Sequence, residues 1–142
     1  MQKIEKSIDI NASVDRVFSY IEDPNNQLEW MTSLMNVRNI SGEGAGLQFE
    51  WTYKMAGISL DGKSVRTEHV AHERLVSKSK GGIESTFDFV LAPQDGGTRV
   101  NLTIEYEIPI PVLGKLAEKL VAKRNERETE LNLQNIKENC ES

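Results

Sequence analysis

The sequence predicts an α+β fold with one antiparallel sheet of about seven strands, two short helices after the first strand, and a long C-terminal helix. Apolar and polar residues alternate in residues 3–10, and residues 34–107 carry turn signals spaced as in consecutive hairpins. Residues 112–139 contain no proline and many strong helix formers. Together these observations give the order of strand, short helices, strands and long helix.

Composition limits the class of protein. The chain has 142 residues, so we expect one domain over residues 1–142. A net charge of −5 is the wrong sign for holding phosphate backbones, and nucleic acid is therefore not expected as a partner. With no long apolar run and no apolar leader, we expect no transmembrane segment and a cytoplasmic protein. The single cysteine, Cys140, cannot form an internal disulfide or a cysteine-based zinc site.

The first elements follow from a change of period. Alternation through residues 3–10 predicts a half-buried strand, and residues 14–21 then place apolar side chains at helical spacing. Ser13 is a typical N-cap and Pro24 a stop signal for this helix. We expect residues 25–31 to add one or two helical turns before the chain becomes extended.

Turn signals predict the pairing of the hairpins that follow. Two-residue turns place alternating apolar residues opposite one another on one face of the sheet. The expected pairs are Met55 with Ile58 and Tyr53 with Leu60 across Ala56-Gly57, Val76 with Phe87 across Gly81-Gly82, and Leu91 with Val100, Phe89 with Leu102, Phe87 with Ile104 and Ser85 with Tyr106 across Asp95-Gly96.

The strand after residue 57 has two competing orientations. The apolar face receives Ser64, Arg66 and Glu68 if the register continues, or Val65, Thr67 and His69 if a bulge forms at Asp61-Gly62. Burying unpaired ions is costly. We therefore favour the bulge, unless Arg66 and Glu68 are paired or solvated in a cavity.

The C-terminal helix carries two apolar stripes that lie nearly opposite each other. One contains Leu113, Leu116, Ala117, Leu120, Arg124 and Leu131, and the other contains Leu133, Ile136 and Cys140. We expect the first stripe to face the sheet. Either the helix bends, or its last turns pack against something else, and a homodimer contact is one such arrangement.

The order of elements resembles the helix-grip fold of the START-like superfamily, also called SRPBCC, over nearly the whole chain. More specifically, Ile8-Asp9-Ile10-Asn11-Ala12-Ser13-Val14, followed by Val17-Phe18, Asp23-Pro24 and Trp30, resembles the opening signature of its polyketide cyclase/dehydrase-type branch. Gly96-Gly97-Thr98-Arg99-Val100 resembles that branch's last hairpin. The resemblance implies a sheet curved around the long helix and enclosing a cavity, which in related proteins takes sterols, lipids, quinones, plant hormones or polyketide intermediates. Members include carriers, sensors, cochaperones and a minority of enzymes.

The inward face of this sheet supplies a candidate ligand site, with ordinary core packing as the alternative. Aromatic walls with a few polar tips suit a small-molecule pocket, and an arginine on the helix could meet a carboxylate or phenolate. The candidate ligand-binding residues are Trp30, Phe49, Trp51, Tyr53, Leu60, Phe87, Phe89, Leu102, Ile104, Tyr106, Leu120 and Arg124. The polar stretch Lys123 to Glu130 lies either at a cavity mouth or in solvent.

No catalytic motif is evident in the sequence. Tyr53, Tyr106, Arg66 or Arg124 could serve acid–base chemistry, with Asp61 or Glu68 as bases, but nothing in the sequence brings them together. His69 and His72 lie three residues apart, which in a strand points them to opposite sides, and no third ligand is signalled nearby, so no metal is expected. No cofactor is expected either.

The leading hypothesis is binding or transport of a hydrophobic or amphipathic small molecule that is lipid-, quinone- or polyketide-like. The alternatives are a polyketide cyclase, aromatase or dehydratase-like enzyme and a protein-assembly module.

Overall fold

Seven strands and four α-helices make up the computed structural model, which describes residues 1–142. A 3₁₀ turn at Pro24–Asn26 precedes the second helix, and another at Lys115–Ala117 precedes the fourth. In chain order the elements are β1 (Gln2–Ile10), α1 (Val14–Glu22), α2 (Gln27–Trp30), β2 (Leu34–Ser41), β3 (Gln48–Met55), β4 (Ile58–Val70), β5 (Arg74–Gly81), β6 (Ser85–Gln94), β7 (Gly97–Tyr106), α3 (Ile110–Leu113) and α4 (Glu118–Glu141).

The strands form one antiparallel sheet in the order β1-β7-β6-β5-β4-β3-β2. The strands from β2 to β7 are neighbours in chain order, and β1 pairs with β7. As a result β1 and β2, which α1 and α2 connect, form the two edges of the sheet. The sheet curves around α4, and a cluster of 24 buried hydrophobic residues forms the core. This architecture confirms the predicted helix-grip fold. None of the helices combines the length and apolar character needed to cross a membrane.

The first helix begins and ends where the sequence predicts. The Ser13 hydroxyl accepts a hydrogen bond from the Arg16 backbone N–H at 3.2 Å, which satisfies one of the free donors of the first turn. Val17, Phe18 and Ile21 are buried along one side of α1. The predicted additional turns are also present, as the 3₁₀ turn and α2.

In two of the three predicted hairpins, every predicted pair of opposite residues is confirmed. At Ala56-Gly57 the φ values are 50° and 82°, and at Asp95-Gly96 they are 49° and 81°. Positive φ at both central residues is the geometry of a two-residue turn whose twist matches that of the strands it joins. Met55 therefore lies opposite Ile58, and Phe89 lies opposite Leu102.

The predicted pairing across Gly81-Gly82 is wrong by one residue. Phe87 lies opposite Ser77, whereas Val76 lies opposite Asp88. The connection is wider than two residues because β5 continues past β6 to pair Gly81 with Gly62 of β4. Gly81 has a φ of +111°, and an added Cβ there would lie 2.9 Å from the Asp61 carbonyl oxygen. These glycines thus permit a close backbone approach instead of a tight turn.

The favoured bulge at Asp61-Gly62 is also wrong. The β3–β4 register continues through Trp51 opposite Gly62 and Phe49 opposite Ser64, and the irregularity in β4 lies between Arg66 and Glu68. Ser64 and Arg66 consequently point inward and are buried.

Beyond the irregularity, Glu68 lies half-exposed near Arg74, with 3.5 Å between its Oε2 and the Arg74 Nη1. His69, which the rejected alternative also placed on the apolar face, packs its ring edge-on against Phe18 of α1.

Within the long helix the two stripes have the opposite roles to those predicted, whereas Leu113 and Ala117, which precede that helix, pack against the core. Gly114, with φ 90°, separates α3 from the segment leading into α4, so the long helix starts at Glu118 and not near residue 112. Leu120 is 75% exposed, whereas Leu133 is 2% and Ile136 is 0% exposed. The last turns of α4 therefore pack into this chain's own core. Leu133 and Ile136, which suggested a dimer contact, are not available to a partner.

Identical substitutions at two positions of α4 should have very different effects. Leu133→Ala should lower the free energy of unfolding by about 2–5 kcal/mol, because it leaves a cavity in the core. Leu120→Ala should change it by less than about 0.5 kcal/mol, because the side chain is mostly in water. Urea denaturation of both variants measures the difference. Equal losses at the two positions would contradict this orientation of the helix.

Candidate functional site

A partly open cavity lies between the inner face of the sheet and the helices α2 and α4. It has a free volume of about 120 Å³. One water needs only about 10–15 Å³ of such space, so the cavity has room for a small ligand or several waters. Its walls are mostly apolar and aromatic, as is common for sites that take small organic molecules.

Eight of the twelve candidate residues line this cavity: Trp30, Phe49, Trp51, Tyr53, Phe87, Phe89, Ile104 and Tyr106. The other four do not. Leu60 and Leu102 are buried in the core outside the lining, whereas Leu120 is exposed. The Arg124 side chain is 71% exposed, and its Nε lies 3.7 Å from a Glu128 oxygen. Leu120 and Arg124 were misplaced because the side of α4 that contains them faces solvent.

Trp51 forms part of the cavity wall and depends on the glycine opposite it. A Cβ added to Gly62 would collide with the Trp51 ring, which lies directly over that backbone. The indole N–H donates to the Ser64 hydroxyl at 3.0 Å, and Ser64 in turn lies 2.5 Å from the Ser79 hydroxyl. The register of β3 and β4 therefore holds the indole ring and supplies its hydrogen-bond partner.

Hydroxyl groups give one side of the cavity a polar character that the sequence pattern had not suggested. Ser64, Ser77, Ser79 and Ser85 come from three adjacent strands and all line the cavity. Ser77 and Ser79 alternate with lysines in β5, and this period of two is the signal that could have placed them on the inner face.

Arg66 is the buried cation of the cavity. The residue is only 4% exposed and lines the cavity, and its Nε makes no hydrogen bond. Burial lowers the pKa of the guanidinium, while the negative charges of Glu22 and Asp23 act in the opposite direction. An arginine stays protonated under these conditions. The apolar cavity therefore contains a positive charge whose desolvation is only partly compensated.

The helix α4 contributes polar groups to the cavity beside the exposed Arg124. Glu128 accepts hydrogen bonds from the Ser33 hydroxyl at 2.9 Å and from the Tyr53 hydroxyl at 3.3 Å. Asn125 donates to the Tyr106 hydroxyl at 3.0 Å. The stretch Lys123 to Glu130 thus has one side at the cavity and another in solvent.

The tyrosines at the cavity are held in their neutral form. Burial raises the pKa of Tyr53, and the nearby negative charge of Glu128 raises it further. Burial also raises the pKa of Tyr106. Near neutral pH both phenols are therefore protonated and can donate hydrogen bonds.

The remaining candidates for acid–base or metal chemistry lie outside the cavity lining. His69 and His72 pair with Glu22 and Asp15, each at 2.9 Å, and link β4 and the turn after it to α1. Asp61 is exposed and accepts a hydrogen bond from Thr52. No group of three or more His, Cys, Asp or Glu side chains is placed to hold a metal ion.

Comparison with known proteins gives a match over almost the whole chain. The model of the family described as "Polyketide cyclase / dehydrase and lipid transport" matches residues 1–141. No curated protein matches the sequence.

Several solved structures share the fold. The protein TTHA0849 from Thermus thermophilus is 24% identical with a TM-score of 0.82, covering 98% of this chain and 97% of that one. The Zhui aromatase/cyclase from Streptomyces sp. R1128 is 14% identical with a TM-score of 0.78, covering 99% of this chain and 93% of that one. The Aha1 dimer from Colwellia psychrerythraea is 17% identical with a TM-score of 0.66, covering 99% and 97%. At these identities the likeness concerns the fold alone.

Alkaline titration should show the burial of the tyrosines. The chain has three tyrosines, and the pKa of each is raised above 10.0, that of Tyr20 to about 12, chiefly by burial. Unfolding above pH 10 therefore releases protons from these tyrosines, so their contribution to stability should be constant well below pH 10 and be lost as pH rises from 10 through the folded-state values.

Near-ultraviolet absorbance of the phenolates, compared between native and urea-unfolded protein, measures this effect. The native curve should lie at higher pH, and Tyr53→Phe should reduce the alkaline loss of stability. Native and unfolded curves that coincide would contradict the burial described for these side chains.

Proposed function

This chain belongs to the polyketide cyclase/dehydrase and lipid transport family, and we propose that it binds an amphipathic small molecule whose acidic or strongly polar group meets Arg66. The apolar part of such a molecule would lie against the aromatic walls. The observation that carries this proposal is one buried cation, without a hydrogen bond at Nε, inside a mostly apolar cavity.

Charge compensation supports an acidic group in the ligand. A carboxylate or enolate beside Arg66 would offset the cost of burying the guanidinium, and its hydrogen bonds would be charge-assisted. The serine hydroxyls of β4, β5 and β6 provide further donors on the cavity lining. A neutral hydrocarbon would fill the apolar space but would leave the cation uncompensated.

The aromatic walls support a largely apolar ligand body. Trp30 and Phe89 meet edge to face, with 5.9 Å between their ring centroids, and Trp51 is held over Gly62. These rings are already buried in the protein, so little side-chain freedom would be lost on binding. A flexible lipid tail and a flat ring system both suit such walls.

A matched pair of probes tests the role of Arg66. Octanoate and octanol share one chain and differ in their charge. Octanoate should bind more tightly than octanol, and Arg66→Met should weaken octanoate by about tenfold to a hundredfold, the scale for hydrogen bonds to a charged group. Octanol affinity should stay nearly constant. Both tryptophans of the chain line the cavity, so intrinsic fluorescence can follow the titrations.

Arg127→Met is the control for loss of a positive charge, since Arg127 is exposed and lies outside the cavity. It should leave both affinities unchanged. Binding of octanol by Arg66→Met would show that the variant is folded. If octanoate and octanol bind equally, or if Arg127→Met has the same effect as Arg66→Met, the proposal is wrong.

A cyclase is the second candidate, supported by a cavity whose lining contains both this cation and two protonated phenols. In an aldol cyclisation a carbon acid loses a proton, a new carbon–carbon bond forms at a carbonyl, and that oxygen becomes a hydroxyl. Dehydration then releases one water. A fixed guanidinium could stabilise the intermediate enolate, and Tyr53 or Tyr106 could donate a hydrogen bond to the carbonyl.

Mass spectrometry of a poly-β-ketone thioester incubated with the protein tests this candidate. An enzyme should form a product lighter by one water, and Arg66→Met should slow its formation by roughly a hundredfold or more. Product formation no faster than in buffer would exclude this reaction and leave binding as the function.

A further inference from the structure

A short stretch before and within the first turns of α4 exposes apolar side chains. Val112 is 54%, Leu116 is 98% and Leu120 is 75% exposed. The opposite side of the same stretch is anchored, because Val121 is buried and Leu113 packs against the core. The segment that carries the exposed leucines is therefore attached to the core on its other side.

Lysines surround these leucines. Lys115, Lys119 and Lys123 are exposed and form no ion pair. Residues 110–125 contain four basic residues and one acidic residue, in a chain whose net charge is −5. The leucine–lysine ridge, defined as Val112, Lys115, Leu116, Lys119, Leu120 and Lys123, is thus a positive, apolar surface on an acidic protein.

We propose that the leucine–lysine ridge docks onto the surface of an anionic lipid bilayer. Leucines at the level of the lipid headgroups would leave water, and the lysines would meet lipid phosphates. Each basic residue near an anionic membrane strengthens binding by about fivefold at moderate salt. The negative charge on the rest of the molecule would orient the ridge toward the membrane.

The charge pattern favours a bilayer over a second copy of the chain. Two ridges facing each other would bring their unpaired lysines together, and this repulsion would oppose a symmetric dimer. A lipid surface satisfies both features of the ridge, since it offers negative headgroups next to an apolar interior. No helix needs to span the membrane for this mode of attachment.

The ridge also borders a second depression in the surface, to which Lys123 contributes. This depression is lined by Ala122, Lys123 and Glu126 of α4 and by the start of β1, and it shares the lining residues Ile4 and Tyr106 with the cavity. Docking through the ridge would place this depression next to the bilayer. The inference itself does not depend on any ligand in the cavity, because it rests only on the exposed ridge.

Vesicle co-sedimentation of the full chain tests the proposal. The protein should bind vesicles of equal parts phosphatidylcholine and phosphatidylglycerol, bind pure phosphatidylcholine at least about tenfold more weakly, and lose affinity as salt is raised. The double variants Leu116→Ser with Leu120→Ser, and Lys115→Gln with Lys119→Gln, should each weaken binding to the mixed vesicles by at least about tenfold.

Matched controls lie elsewhere on the surface. Leu131→Ser alters another exposed leucine of α4, and Lys78→Gln with Lys80→Gln removes two exposed lysines of β5. Both should leave binding unchanged, and circular dichroism should show that all variants are folded. A lack of binding to either vesicle type, or equal losses in ridge and control variants, would overturn the proposal. So would sedimentation showing a dimer that the ridge variants abolish.

Discussion

The register between β3 and β4 is the constraint on which the cavity depends. Because β4 stays in register from Ile58 to Ser64, Gly62 lies opposite Trp51 and leaves room for its ring. The same alternation turns Ser64 and Arg66 inward, so the indole finds a hydrogen-bond partner and the cavity acquires a cation. The irregularity after Arg66 then lets His69 reach α1. A slip by one residue would exchange these side chains for those of the outer face.

Burial of Arg66 also links the cavity to the first helix. Glu22 ends α1 and Asp23 follows it, and their charges favour the protonated guanidinium against the effect of burial. His69 and His72 pair with acidic residues of that helix, and both rings pack edge-on against Phe18. The helix therefore covers one part of the sheet and also supplies negative charge near the buried cation. This arrangement lets a mostly apolar sheet face keep one charged residue.

Local signals predicted much of the fold, whereas tertiary packing decided the parts that were wrong. Ser13, Ala56-Gly57 and Asp95-Gly96 act within a few residues, and the elements that they begin or connect are confirmed. The Gly81-Gly82 pairing failed because these glycines serve contacts with β4. The stripe on α4 was reversed because the helix turns polar residues such as Asn125 and Asn132 toward the cavity and leaves Leu120 in solvent, a choice that apolar periodicity does not predict. Arg66 was expected on the outer face of the sheet because burying an unpaired charge is costly. The cavity that accommodates this charge is formed by tertiary packing, which sequence periodicity does not show.

The central claim is that the Arg66 side chain meets the polar group of a bound ligand within the cavity. Nitrogen-15 NMR of the arginine side chains tests this directly, with the Arg66 Nε–H signal assigned by its absence in Arg66→Lys. Adding octanoate should shift this signal and slow its exchange with water, whereas octanol should leave the signal close to its original position. If octanoate shifts the tryptophan signals of the cavity but leaves Arg66 unchanged, the ligand binds without the cation and the account is wrong.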